Sequence, residues 1–187
     1  MAATLTKSVL SDVMTGIASI KLAPVGKITT TTFDATDEIF TIRDSVNVSQ
    51  TTPTKNEIKI DQAETAIAVT YESGEFTITG QIPSAAKPLL DYFYETTTTA
   101  PVAITDHDTG VGVKLTQKTV RAMMYIKAQS GPALVITNAE FVTNIMWDST
   151  STNPLRLEFT ATALTAVGGE NGEEAEVIFY PKKKVTA

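Results

Sequence analysis

Apolar and polar positions alternate along most of this chain. Ile67, Val69 and Tyr71 alternate with Ala66, Ala68 and Thr70, and Phe76, Ile78 and Ile82 alternate with Thr77, Thr79 and Gln81. Alternation with a period of two marks half-buried strands, and Glu72-Ser73-Gly74-Glu75 between the two runs is a turn signal. Together they predict a hairpin. With Ser73-Gly74 as a two-residue loop, Tyr71 faces Phe76 and Val69 faces Ile78 on an apolar side. Thr70 then faces Thr77, and Ala68 faces Thr79, on a small polar side nearly free of charge. Glu72 would oppose Glu75, a mildly unfavourable like-charge pair, so a wider turn fits equally. The polar side faces either bulk water or a channel.

The same pattern predicts strands at 17–23, near 38–43, and in short runs at 46–50 and 57–61. The intervening Thr51, Thr52, Pro53, Thr54, Lys55 and Asn56 have no apolar anchor and read as an exposed, contact-making loop. Further strands are expected at 102–105, 111–117, 120–127, 134–137, 141–147 and 155–164, with turns at 106–110 and 129–132. One helix is predicted over 84–94, with Ser84 as cap, Pro88 in the first turn, and Leu89, Leu90 and Phe93 as its packing stripe. Residues 1–16 form an N-terminal arm in which Val9, Leu10, Val13 and Met14 share one side at helical spacing. That arm is either a short amphipathic turn docking on a neighbour or a frayed terminus. The main β domain spans 17–167. Residues 168–187 comprise an acidic linker, a strand at 176–181 and a basic end, Lys182-Lys183-Lys184. The terminal strand pairs either with a neighbouring subunit or with its own sheet.

Threonine runs at 29–32 and 96–99 strengthen the mainly β reading, because threonine favours strands. No run of about 18 apolar residues occurs, so no transmembrane helix and no membrane partner are expected. The first residues lack the apolar stretch of an export signal. Without cysteine there are no disulfides, thiolate metal sites or cysteine nucleophiles. A net charge of −6 makes the chain a poor clamp for nucleic acid, whose capture depends on lysine and arginine. It suits a protein that surrounds nucleic acid without sticking to it.

Catalytic constellations are sparse. The single histidine, His107, lies between Asp106 and Asp108 and reads as a solvated turn residue. Asp106-x-Asp108-x-Gly110 lacks the third ligand position and distal Glu of a calcium loop. Gly110-x-Gly112 lacks the third glycine and following helix of a dinucleotide site. Trp147, Tyr92, Phe93 and Tyr94 have the spacing of core residues more than of a base-stacking platform, and Met123-Met124 reads as core. No enzyme activity, cofactor or metal is expected.

The order of elements resembles the major tail tube proteins of long-tailed bacteriophages, a family that shares its fold with the tubes of type VI secretion and contractile injection systems. The resemblance is carried by DSVNVSQTTPTKNEIKID at 44–61, AIAVTYESGEFTITGQIP at 66–83, SAAKPLLDYFYE at 84–95, residues 118–148 and NPLRLEFTATAL at 153–164. It implies a β-sandwich or rolled sheet with one flanking α-helix, whose inner sheet joins a ring-wide barrel on oligomerisation. Hexameric rings would stack into a virion tail tube, assembled in the bacterial host cytoplasm, through which DNA passes without specific binding. Tape-measure, tail-completion and baseplate proteins would be further partners. Ala66, Ala68, Thr70, Thr77, Thr79 and Gln81 would face the lumen; Lys55, Arg121 and Arg156 are competing candidates for that face. Ser49, Gln50, Thr51, Thr52, Pro53, Thr54, Lys55, Asn56 and Glu57 would form the ring-stacking loop. The arms 1–16 and 168–187 would order on assembly. The alternatives are a secretion or injection tube, or a non-catalytic β-sandwich binding module; a hydrolase is disfavoured by the lack of suitable side chains.

Overall fold

Among the residues that the structure, a computed structural model, describes (14–34, 38–58, 68–107, 109–148 and 155–182), twelve strands, one α-helix and a 3-10 turn at Gly169–Asn171 succeed one another. Among the described residues the chain is mainly β, with one α-helix, as the alternation predicts. The strands are β1 (Thr15–Ala23), β2 (Glu38–Ile39), β3 (Asn47–Gln50), β4 (Thr54–Ile58), β5 (Ala68–Glu72), β6 (Phe76–Ile82), β7 (Tyr94–Thr96), β8 (Val113–Gln117), β9 (Val120–Ser130), β10 (Ala133–Met146), β11 (Arg156–Ala163) and β12 (Val177–Tyr180); the helix α1 is Lys87–Phe93. The main sheet is antiparallel and curled, in the order β2-β1-β9-β10-β11-β6-β3. β12 pairs with the first part of β10, and β11 pairs with the rest.

A bulge explains both the curl and this change of neighbour. The β9–β10 register shifts between Ile136 and Ala139, and such insertions bend a strand and increase its twist. Thr137 and Asn138 occupy the bulge and are buried. The Thr137 hydroxyl donates to the Ala175 carbonyl at 2.7 Å, and the Asn138 amide donates to the Thr165 carbonyl at 2.8 Å. These bonds hold the linker that carries the chain from β11 to β12. The bulge also accounts for a misreading. Every residue from Leu134 to Ala139 is buried, so alternation vanishes there and one strand reads as two. The terminal strand folds back on its own sheet, the second of the two options its sequence left open.

The core lies on one side of the sheet, under α1. Leu90 and Phe93 of the helix are buried, as is Tyr94, whose hydroxyl donates to the Thr143 carbonyl at 2.8 Å. Phe93, Phe141 and Phe159 form a chain of tilted rings with centroids 6.0 and 6.3 Å apart. Met123 and Met124 are both buried, as expected. The helix begins three residues later than predicted. Ala86, extended at ψ 149°, is its N-terminal flank, and Ser84 accepts from the Ala86 amide at 3.1 Å without reaching the helix. No strand forms at 102–105.

The predicted 66–82 hairpin does not form. β5 pairs with β4, and β6 pairs with β3 and β11. The β3–β6 register places Gln50 opposite Phe76, and the β4–β5 register places Thr54 opposite Glu72. These registers continue one another, so 47–58 and 68–82 make one long antiparallel ribbon; residues 59–67 lie outside the described residues. Ser73 and Gly74 lie midway along it. There the Thr51 amide donates to the Glu75 carbonyl at 2.9 Å, and the Thr51 hydroxyl accepts from the Glu75 amide at 2.7 Å. A Cβ on Gly74 would stand 1.8 Å from the Thr51 carbonyl oxygen. Glycine is needed at this crossing for close approach, where the sequence suggests a reversal. The expected loop shrinks to 51–53, because Thr54, Lys55, Asn56 and Glu57 belong to β4.

Candidate functional site

Opposite the core, five strands present a polar face in register. One row runs Ser49, Thr77, Thr162, Glu140, Arg121; the next runs Asn47, Thr79, Thr160, Val142; a third runs Gln81, Glu158, Asn144. None of these side chains is buried. Strands lie about 4.8 Å apart, so the face extends roughly 19 Å from β3 to β9. The intervening positions, Ile78, Ala161, Phe141 and Val120, are buried on the core side. Short polar side chains are cross-linked within the face: the Ser49 and Thr77 hydroxyls lie 3.0 Å apart, and the Gln81 amide donates to Glu158 at 2.9 Å.

At the lower end of β11 the single buried guanidinium is compensated. Arg156, with its side chain 10% exposed, donates to Asp148 at 2.8 Å and to Glu158 at 3.3 Å. The Asp148 hydrogen bond is the main cause of an upward shift of the Arg156 pKa, which burial opposes. Arg156 is therefore held as part of an acidic–basic cluster rather than offered to solvent as a free cation.

Thr77, Thr79 and Gln81 share the polar face, as predicted. Ala68 and Thr70 do not join them. They lie on β5, opposite Ile58 and Asn56, outside the main sheet. Counted along the continuous register, they fall on the side of Phe76 and Ile78, while Val69 and Tyr71 continue the side of Thr77. The assumed tight turn reversed this relation, since a hairpin at Ser73-Gly74 pairs odd with even positions and the actual ribbon pairs like with like. Ala66 lies outside the described residues.

The face also contains residues that local reading missed: Asn47, Glu140, Asn144, Glu158, Thr160 and Thr162. The alternation of 155–164 showed that Glu158, Thr160 and Thr162 share a side. It did not show that β11 lies beside β6. Two carboxylates, Glu140 and Glu158, make the face less neutral than the hairpin alone suggests, and Arg121 stands opposite Glu140.

The second candidate region, Ser49, Gln50, Thr51, Thr52, Pro53, Thr54, Lys55, Asn56 and Glu57, is exposed throughout. It forms one half of the projecting ribbon. Lys55 pairs with Glu57, and the Asn56 amide donates to Glu72 at 2.8 Å. Beside these polar groups the ribbon exposes apolar area at Ile58, Val69 and Tyr71, the last 68% open.

His107 sits in an exposed turn, its amide donating to the Ile104 carbonyl at 3.0 Å. Asp108 lies outside the described residues. Among the described residues no three His, Asp or Glu side chains gather into a metal-sized group. Phe93 and Tyr94 are core residues, but Trp147 is 70% exposed at the end of β10. The described helix spans seven residues, too short to cross a membrane. Compared with known proteins, the chain matches no family model and no curated protein sequence.

Proposed function

We propose that this chain is the structural subunit of a bacteriophage tail tube, forming stacked hexameric rings around a channel for DNA. The observation that carries this reading is the polar, threonine-rich face in register across β3, β6, β11, β10 and β9. It belongs to a sheet whose edge strands, β2 and β3, have no further strand partner among the described residues. Open edges invite pairing with another chain. Repeated around a ring, such pairing extends the sheet and turns the polar face into a wall. Hydroxyls and amides keep that wall wetted, and Glu140 and Glu158 offset the positive charge of Arg121 and Arg156 on it. Arg156 offers little to a passing duplex because Asp148 and Glu158 already occupy it.

Stacking contacts fall to the ribbon, which leaves the main sheet after Gln50 and carries Thr51 to Glu57 beyond it together with Ile58, Val69 and Tyr71. Burying these side chains against the next ring removes exposed apolar surface, worth about 25 cal/mol per Å². In the virion, the tube's further partners are tape-measure, tail-completion and baseplate proteins. A tube of a secretion or injection system obeys the same physics and differs in cargo.

Negative-stain microscopy of the purified protein tests the proposal directly: rings or long hollow tubes are expected. A persistent monomer at high concentration that binds glycans overturns it. That second outcome is the binding-module reading, which the exposed Trp147 favours.

A further inference from the structure

A pocket of about 630 Å³ opens between α1 and β2. Its wall is mainly apolar and includes Ile39, Phe40, Leu89 and Tyr92; its polar members are Glu38, Ser84 and Arg121. Phe40 forms an uncovered lip, 72% exposed. Glu38 stands opposite Lys21 in the β1–β2 register. Arg121 stands opposite Glu140 in the β9–β10 register and forms no ion pair among the described residues.

The alternation of 102–105 predicts a strand, and none forms there. Val102 and Ile104 are instead 88% and 70% exposed. Their segment takes no part in lining the pocket of its own subunit. In an extended chain the two side chains point to one side, roughly 7 Å apart. Asp106 follows, in the turn that the His107 amide closes by donating to the Ile104 carbonyl at 3.0 Å. We propose that Val102 and Ile104 of one copy enter the α1–β2 pocket of a second copy, with Asp106 set against the partner subunit's Arg121.

Three features select this occupant. The segment offers two apolar side chains on one side, and burying them in an apolar pocket removes both surfaces from water. Its charge is complementary, since an exposed carboxylate meets a guanidinium that no carboxylate holds within its own subunit. Leu115, also 88% exposed, lacks this match, because its neighbour Lys114 is repelled by Arg121. Finally, the segment has strand-forming residues without a strand, so docking supplies the order that the single subunit does not. The contact requires only two copies and does not depend on ring formation.

The absence of native cysteine makes the test clean. An Ile104→Cys protein is mixed with a Phe40→Cys protein and oxidised. The comparison mixture pairs Phe40→Cys with Leu115→Cys. All three positions are exposed, so the subunits should fold. Non-reducing electrophoresis and peptide mapping read the product. The expected result is a disulfide joining positions 40 and 104 of different chains, formed about tenfold faster than the one joining 40 and 115. Adding Arg121→Glu to the Phe40→Cys protein should slow the first reaction by about threefold and leave the second unchanged. Equal rates in the two mixtures overturn the proposal, as does indifference to Arg121→Glu. A double variant, Phe40→Cys with Ile104→Cys, that closes within one chain faster than between chains overturns it too, because the pocket then takes its own segment. Tubes that form without this cross-link refute the contact and leave the tube reading standing; the cross-link without tubes does the reverse.

Discussion

Close backbone approach is decided at single residues. A Cβ on Gly80 would lie 2.7 Å from the Phe159 ring, inside the core. Gly80→Ala should destabilise the fold by about 1–3 kcal/mol through overpacking, measured as a lower urea midpoint with unchanged slope. An unchanged midpoint would mean that Phe159 moves aside freely. Asp91 provides a second test. A hydrogen bond from Lys87, then one from Thr96, holds its carboxyl below the ordinary value of 3.8. A depressed carboxylate contributes stability that is complete above its unfolded pKa and lost as pH falls through its folded one. The contact between α1 and β7 should therefore weaken below pH 3.8. Asp91→Asn should flatten that part of the acid dependence, read from thermal midpoints across the acidic range; an unaltered profile would remove Asp91 from the account.

Elements show how local signals acquire meaning from their neighbours. β6 is polar at Thr77, Thr79 and Gln81, and β11 is polar at Glu158, Thr160 and Thr162, but only their pairing makes a surface. Thr77→Lys with Thr79→Lys adds two cations to the centre of that surface. Because these side chains are only partly covered, the subunit should fold and assemble while DNA passage is hindered. Infectivity equal to wild type would show that this face does not line the channel. β12 yields the opposite kind of prediction. As an ordered partner of β10, it shields Ala133 to Ile136. Deleting residues 168–187 should lower the thermal midpoint of the subunit itself, where a merely assembly-dependent tail would leave it unchanged. The alternation in 120–130 and 156–163 was legible because most buried positions of each strand lie on one side, with Met123 and Arg156 as the exceptions. The bulge at Thr137-Asn138 was not, since both of its neighbours are buried as well.

For the whole molecule, charge and shape set the relation to DNA. With a net charge of −6 and its buried arginine paired, the subunit should not retard duplex DNA in electrophoresis, even at low ionic strength where phosphate contacts are strongest. Retardation that disappears with added salt would contradict a passive wall. Assembly should not change this result, because ring closure multiplies the same face.

By itself the sequence determined the strand-rich class, the core side of most strands, the single helix near Leu89, Leu90 and Phe93, and a smooth polar side at Thr77, Thr79 and Gln81. These follow from periodicity, which depends only on the residue and its near neighbours. Tertiary structure alone decided the partners. Ser73-Gly74 fits a reversal and a backbone crossing equally well by local rules, and the choice rests on Thr51, more than twenty positions away. That choice joined 47–58 to 68–82 in one ribbon, set Ala68 and Thr70 apart from Thr77 and Thr79, and placed β11 where Thr160 and Thr162 complete the face.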